Sequence, residues 1–212
     1  MSFLHLYKFA EGLAGQPEEG GAAVSVAAVR NRIIECGFAE EIVIHAVELE
    51  ADVSLGHVVV KDLREERWDD DTRLHASIRF HRKLNRCWAR FVSCKEMMHI
   101  FDGPDEIVDT KEKFIKLLEE IESRPLDRSA IFGSEFRAEW MALLVLCPKP
   151  ERDAFKARLM ADEIGRYDVA WHFRIPEDFV VALMSEHYDF AYERLISASE
   201  EQQAVDPNEA AA

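Results

Sequence analysis

Long apolar runs are missing from this chain of 212 residues. A membrane-spanning helix needs roughly 18 or more consecutive apolar residues, and no segment approaches that length. The opening sequence MSFLHLYKFAEGL also lacks the basic region, apolar region and cleavage pattern of a secretory signal. We therefore expect a cytoplasmic protein that does not associate with a membrane.

Cysteine and glycine are scarce as well. The four cysteines, Cys36, Cys87, Cys94 and Cys147, have no C-x-x-C spacing and lie among apolar residues. This pattern is typical of reduced thiols in a core and not of disulfides. The glycines form neither G-x-G-x-x-G nor G-x-x-x-x-G-K, which excludes the common phosphate-binding loops.

Basic residues are outnumbered, with 26 lysines and arginines against 41 acidic residues and a formal net charge of −15. A nucleic-acid surface needs clustered lysine and arginine to displace counterions. The one basic stretch, residues 79–90, is short and indicates a local patch, and no helix-turn-helix is recognisable. The sequence thus predicts no direct nucleic-acid binding, while 48% hydrophobic residues suffice for the core of one large domain.

Apolar residues recur at helical spacing along much of the chain. The predicted helices cover about residues 23–36, 86–100, 106–122, 135–146, 151–165 and 177–197. Ser134 is the predicted N-cap of the helix that starts at Glu135. Residues 1–22 are predicted to be an N-terminal stretch and flexible segment, residues 105–128 a helical insertion, and residues 198–212 a disordered acidic tail.

Two segments, residues 56–61 and 75–80, are rich in β-branched and apolar residues and are separated by a charged loop. They predict two strands of a small antiparallel sheet. Residues 40–49 fit either a helix or a strand, because their apolar residues also alternate. The predicted fold is α+β and mainly helical, with one domain over residues 23–197.

Residues Arg90 to His99 read R-F-V-S-C-K-E-M-M-H. In the zinc-peptidase motif H-E-x-x-H, two histidines on one helical face bind the metal, and the glutamate between them activates a metal-bound water. Glu96 and His99 occupy two of these three positions. Lys95 stands at the position of the first histidine, where an ammonium repels a dication instead of binding it.

A second segment, E-F-R-A-E-W-M-A-L-L-V-L-C-P, places Glu139 four residues after Glu135. In glutamate-type zincins a second helix supplies the third metal ligand in such an E-x-x-x-[DN] pattern. Both segments resemble the ImmA/IrrE family of metallopeptidases, whose pattern is approximately R-F-T-x-A-H-E-x-x-H followed by E-x-x-A-N-x-F-A-x-x-L-L-M-P. The matching positions are Arg90, Phe91, Glu96, His99, Glu135, Ala138, Ala142, Leu146 and Pro148.

The resemblance covers roughly residues 25–195 and implies a zincin-like metallopeptidase fold. It implies that Glu96 is the general base of a hydrolase and that His99 and Glu135 are zinc ligands. It also implies that Glu139 holds a zinc ligand in position without itself contacting the metal. Glu139 stands where the family has asparagine. His172 is a possible accessory residue, because metallopeptidases often place a transition-state-stabilising histidine or tyrosine after the ligand helix.

Lys95 leaves three functions open. In the first, which we favour, its ammonium pairs with Glu135 in place of zinc, and the protein is a pseudopeptidase that regulates a protein partner. This role is suggested because the family resembles regulators that act on helix-turn-helix repressors. In the second, Cys94, His75 or His172 replaces the missing ligand, and a working zinc endopeptidase cleaves a peptide substrate. The third is a helical scaffold without a cleft.

Overall fold

The sheet has three strands in the computed structural model, which describes residues 3–14, 23–49, 54–62, 74–103, 106 and 130–197. Strands β1 (Glu41–Val47), β2 (Gly56–Asp62) and β3 (Leu74–His81) lie in the order β1-β3-β2. The predicted antiparallel pairing of β2 with β3 is confirmed, but β1 runs parallel to β3. The sheet is therefore mixed and not antiparallel throughout.

Helices α2 and α3 pack against this sheet, and the α-helices of the described residues together with the three strands confirm the α+β class. They are α1 (Phe3–Ala14), α2 (Val26–Glu35), α3 (Arg86–Met98), α4 (Ala130–Leu146), α5 (Lys149–Met160), α6 (Arg166–Phe173), α7 (Val180–Met184) and α8 (Glu186–Tyr192). Single turns of 3-10 helix span His99–Phe101 and Glu177–Phe179, and a π-helical turn spans Glu193–Ser197. None of these helices is long and apolar enough to cross a bilayer.

Helix α3 is the central element, because it packs against both α4 and the sheet. Asn85 caps its N-terminus by accepting a hydrogen bond from the Trp88 backbone N–H. Its apolar side chains Phe91, Met97 and Met98 are buried. Residues 140–146 at the end of α4 are buried as well, so the line along which these two helices meet is fixed by apolar packing.

The N-terminal stretch differs from the prediction. Residues 3–14 form α1, whose side chains Phe3, Leu6 and Tyr7 are buried in the common core. Tyr7 also accepts a hydrogen bond from the backbone N–H of Lys149. This helix is therefore part of the domain, and the predicted flexible segment is wrong for residues 11–14, while residues 15–22 lie outside the described ranges.

Three predicted helix boundaries are also wrong. Helix α5 ends at Met160 and not at residue 165. Helix α4 begins at Ala130, so Ser134 lies inside the helix and is not its N-cap. The predicted helix 177–197 is divided, because Ser185 adopts an extended conformation and caps α8 through the His187 backbone N–H. The predicted insertion, apart from a turn at Glu106, and the predicted tail lie outside the described residues.

Candidate functional site

A cavity of about 310 Å³ opens where α3 meets α4, with β2 along its rim. Lys95, Glu96 and His99 of α3 and Glu135 and Glu139 of α4 all line it. Its apolar wall consists of Leu55, Val58, Val60, Trp88, Phe91, Val92 and Phe179. The structure thus brings together the two segments that carry the predicted site.

Lys95 lies between two carboxylates. Its Nζ is 2.5 Å from Glu135 Oε2 and 3.3 Å from Glu96 Oε1. Burial alone would lower the pKa of Lys95, but the charges of Glu96 and Glu135 and hydrogen bonds to both raise it above its ordinary value. Lys95 is therefore an ammonium at neutral pH, and it holds the pKa of Glu135 below its ordinary value although burial opposes this.

His99 is oriented by a carboxylate. Its Nδ1 lies 2.7 Å from Asp102 Oδ2, which also accepts a 2.5 Å hydrogen bond from the Ser134 hydroxyl. Arg137 donates to Asp102 Oδ1 at 2.6 Å and to both oxygens of Glu106 at 2.7 Å. Burial would raise the pKa of Asp102, but the hydrogen bonds from His99, Ser134 and Arg137 lower it.

Because Asp102 is ionised, we assign the bridging proton to His99 Nδ1, which donates it to Asp102 and leaves Nε2 as the other ring nitrogen. This Nε2 is buried and has no hydrogen-bond partner among the described residues. It lies 3.6 Å from Glu135 Oε1. Asp102, Ser134 and Arg137 were not predicted as site residues from the sequence, although Asp102 three residues after His99 is a usable signal for a histidine-orienting carboxylate.

Glu139 also lines the cavity but forms no hydrogen bond or salt bridge with another described residue. Burial raises its pKa above the ordinary value, with a further contribution from Glu135 and an opposing one from Lys95. His57, on the rim strand β2, also lines the cavity, and no role was predicted for it from the sequence.

The three predicted substitute ligands lie elsewhere. His172 Nε2 is 2.7 Å from Glu151 Oε1, and its ring stacks on Phe155. His75 is paired with glutamates at the start of the sheet. Cys94 is fully buried, and burial raises its thiol pKa to about 12. None of the three lines the cavity that holds Lys95.

The residues present do not fit a catalytic zinc ion, which takes three protein donors. His99 Nε2 and Glu135 Oε1 are separated by nearly the distance of roughly 3.4 Å that two ligands on a tetrahedral zinc would have. The third position is held by the Lys95 ammonium, which has no lone pair and already bonds Glu135. No group of three histidine, cysteine or acidic residues is arranged for a metal within the described ranges.

Comparisons with known proteins add no relative to this geometry. No protein-family model, no curated protein and no solved structure gives a significant match to the chain.

The rim strand approaches α3 closely at Gly56, which gives a testable packing contact. A Cβ atom at this position would lie 2.3 Å from Val92 Cγ1 and 3.1 Å from Glu96 Cγ. We expect Gly56→Ala to displace β2 and lower the free energy of unfolding by about 1–3 kcal/mol, as overpacking does. Urea denaturation measures this change.

The control is Gly12→Ala, because a Cβ at Gly12 of α1 would contact nothing within 4 Å. Val92→Ala should remove part of the clash. A double-mutant cycle for Gly56→Ala and Val92→Ala should then show a favourable coupling energy. Strictly additive effects would contradict the close approach of β2 to α3.

Proposed function

We propose that this protein is a zincin-like, ImmA/IrrE-like pseudopeptidase that binds a protein partner in its cleft without cleaving it. The observation that supports this proposal is the placement of the Lys95 ammonium, 2.5 Å from Glu135 and 3.3 Å from Glu96. The lysine supplies the positive charge that a metal ion would otherwise bring to these carboxylates. It is held by covalent attachment to α3 and does not dissociate.

Peptide hydrolysis needs an activated water and a group that stabilises the negative charge on the tetrahedral intermediate. A glutamate at the position of Glu96 acts as a base when a water is held and polarised beside it. Here Glu96 is buried and accepts a hydrogen bond from Lys95. Lys95 is in turn bonded to Glu135, so its charge is already neutralised and is poorly placed to polarise a substrate carbonyl.

The remaining features of the cavity suit recognition. Its volume of about 310 Å³ is at the lower end of the range for ligand pockets, enough for one or two side chains of a partner. Its wall carries apolar side chains such as Val58, Trp88 and Phe179. A partner that inserts an apolar side chain here would bury it against this wall and gain roughly 1.5–3 kcal/mol.

The proposal is tested by capture of partners from cells that produce tagged wild-type protein, followed by quantitative mass spectrometry. Val58→Asp places a charge in the apolar wall, so partners bound through the cleft should be strongly depleted. Val181→Asp makes the same substitution on the exposed surface of α7, outside the cavity, and should not deplete them. Melting curves of both variants show whether they are folded.

We expect the cleft-dependent partner to be recovered at full length. Incubating the purified partner with the wild-type protein and added zinc should leave it intact. Zinc-dependent cleavage that disappears in Glu96→Gln would instead indicate a working endopeptidase. Equal capture by wild type and Val58→Asp would contradict a partner bound in the cleft.

A further inference from the structure

A second groove, of about 730 Å³, lies on a different face of α3 from the cleft. It is lined by the first turn of α2, by Ile44 of β1 and Phe80 of β3, by α3, and by Trp171 of α6. Three arginines line it, namely Arg86, Arg90 and Arg174, and no acidic residue does. In a chain with a net charge of −15, such a concentration of uncompensated positive charge is a local exception.

Backbone carbonyl groups hold the Arg90 side chain in place at this groove. Its guanidinium donates to the carbonyl oxygens of Val24 at 2.7 Å, Arg174 at 3.2 Å and Phe173 at 3.5 Å. These are uncharged acceptors, and Arg90 has no salt bridge with a described acidic residue. The guanidinium is thus fixed in position while its charge has no counterion, so an anion in the groove would gain a preorganised charge partner.

Arg86 and Arg174 are exposed and likewise have no salt bridge with a described carboxylate. Arg174 is the C-cap of α6 and has a left-handed backbone with φ of 53°. Glycine or asparagine suits that conformation better, and another L-residue there is strained by roughly 1–2 kcal/mol. The arginine side chain at this position lines the groove.

An aromatic surface adjoins the arginines. The Trp171 side chain is 71% exposed and stacks on Tyr167, which is 65% exposed, with ring centroids 6.4 Å apart. Exposed tryptophan and tyrosine beside arginine is the composition of a protein-binding hot spot. The first turn of α2 adds its partial positive charge, because the Ser25 side chain makes no capping bond there.

We propose that this groove binds an acidic peptide segment of a partner protein, with its carboxylates on Arg86, Arg90 and Arg174 and a neighbouring apolar side chain on Trp171. Planar guanidinium groups match carboxylates in bidentate geometry. A polynucleotide would bring many phosphates to a chain whose net charge is −15, whereas a short peptide needs only the local positive charge. This site is separate from the cleft, so its test does not depend on the pseudopeptidase proposal.

The test measures binding of a fluorescein-labelled oligoglutamate peptide that contains one tryptophan, by fluorescence anisotropy at low salt. The binding variant is Arg86→Gln/Arg174→Gln, which leaves the backbone-bonded Arg90 in place. The control variant, Arg79→Gln/Arg194→Gln, removes the same charge from arginines that do not line the groove. We expect the binding variant to lose about tenfold or more in affinity and the control variant to match wild type.

Trp171→Ala should weaken the tryptophan-containing peptide more than a peptide with alanine in its place, which separates apolar contact from charge. Equal affinities for wild type and Arg86→Gln/Arg174→Gln, or no binding by wild type, would overturn the proposal. So would groove-dependent binding of a single-stranded oligonucleotide or of inorganic phosphate in preference to the peptide. Melting curves confirm that each variant is folded.

Discussion

Lys95→His should raise zinc binding from negligible to about one equivalent. The substitution restores H-E-M-M-H on α3, with His99 Nε2 and Glu135 Oε1 already 3.6 Å apart. Asp102 already fixes the His99 ring with Nε2 free, so the second ligand needs no reorientation. A new imidazole at position 95 would complete a set of three donors and leave the fourth position to water.

Zinc content after dialysis, measured by mass spectrometry, and isothermal titration check this result. Because zinc would bind the folded state, a hundredfold excess over the dissociation constant should stabilise the variant by about 2.7 kcal/mol. The wild-type protein should show no comparable zinc-dependent rise in melting temperature. Zinc binding is the appropriate readout, since His172, the predicted accessory residue for catalysis, does not line the cavity.

Two controls separate ligand addition from loss of the cation. Lys95→Gln removes the ammonium without adding an imidazole, and it should bind zinc far more weakly than Lys95→His. Lys95→His/Glu135→Gln removes the third donor and should lose the gain. Equal zinc affinity in wild type and Lys95→His would mean that the lysine is not what disables the site, or that α3 and α4 do not form this cleft in solution.

The sequence predicted the parts of the site that local patterns determine. A helix over residues 86–100 followed from apolar spacing, and the structure has α3 at Arg86–Met98 with a further turn at His99–Phe101. The predicted convergence of Glu96, His99 and Glu135 came from the resemblance of two segments to a family pattern and not from periodicity. Periodicity tells which face of a helix is buried but not which helix covers it.

What the sequence did not predict depends on contacts distant in the chain. The Asp102 network joins residues 102 and 134–137, and nothing near Ser134 indicates that its hydroxyl bonds a distant carboxylate and does not cap a helix. Strand β1 was ambiguous by alternation alone, and its parallel pairing with β3 decides its type. Helix α1 was missed because the glycines and glutamates of residues 11–22 outweighed the apolar spacing of residues 3–10.

Lys95→Met should lower the free energy of unfolding by about 3 kcal/mol, the low end of the range for breaking a buried ion pair. The substitution keeps most of the side-chain volume but leaves Glu135 and Glu96 without their shared cation. The side chains of Lys95 and Glu96 are only 18% and 7% exposed, so water compensates incompletely. The open cavity beside them places the loss at the low end of that range.

Two variants show whether the loss comes from the charge pair. Lys95→Met/Glu135→Gln removes one uncompensated carboxylate and should recover part of the stability, giving a favourable coupling energy in a double-mutant cycle. Lys83→Met is the matched control, because Lys83 pairs with Glu48 on the surface and is 75% exposed. That control should change stability by about 0.5 kcal/mol or less.

The loss of unfolding free energy caused by Lys95→Met should also depend on pH. In the wild type the lysine holds the pKa of Glu135 below its ordinary value, although burial opposes this. The ionised carboxylate therefore stabilises the fold at pH values above the ordinary glutamate pKa. This contribution is lost as the pH falls through the lowered pKa. In the variant burial raises the pKa of Glu135, and the ionised form destabilises the fold at neutral pH. The difference in unfolding free energy should therefore be largest near about pH 7 and shrink toward about pH 4. An equal difference at both pH values would assign the loss to the packing of the lysine stem and not to its charge.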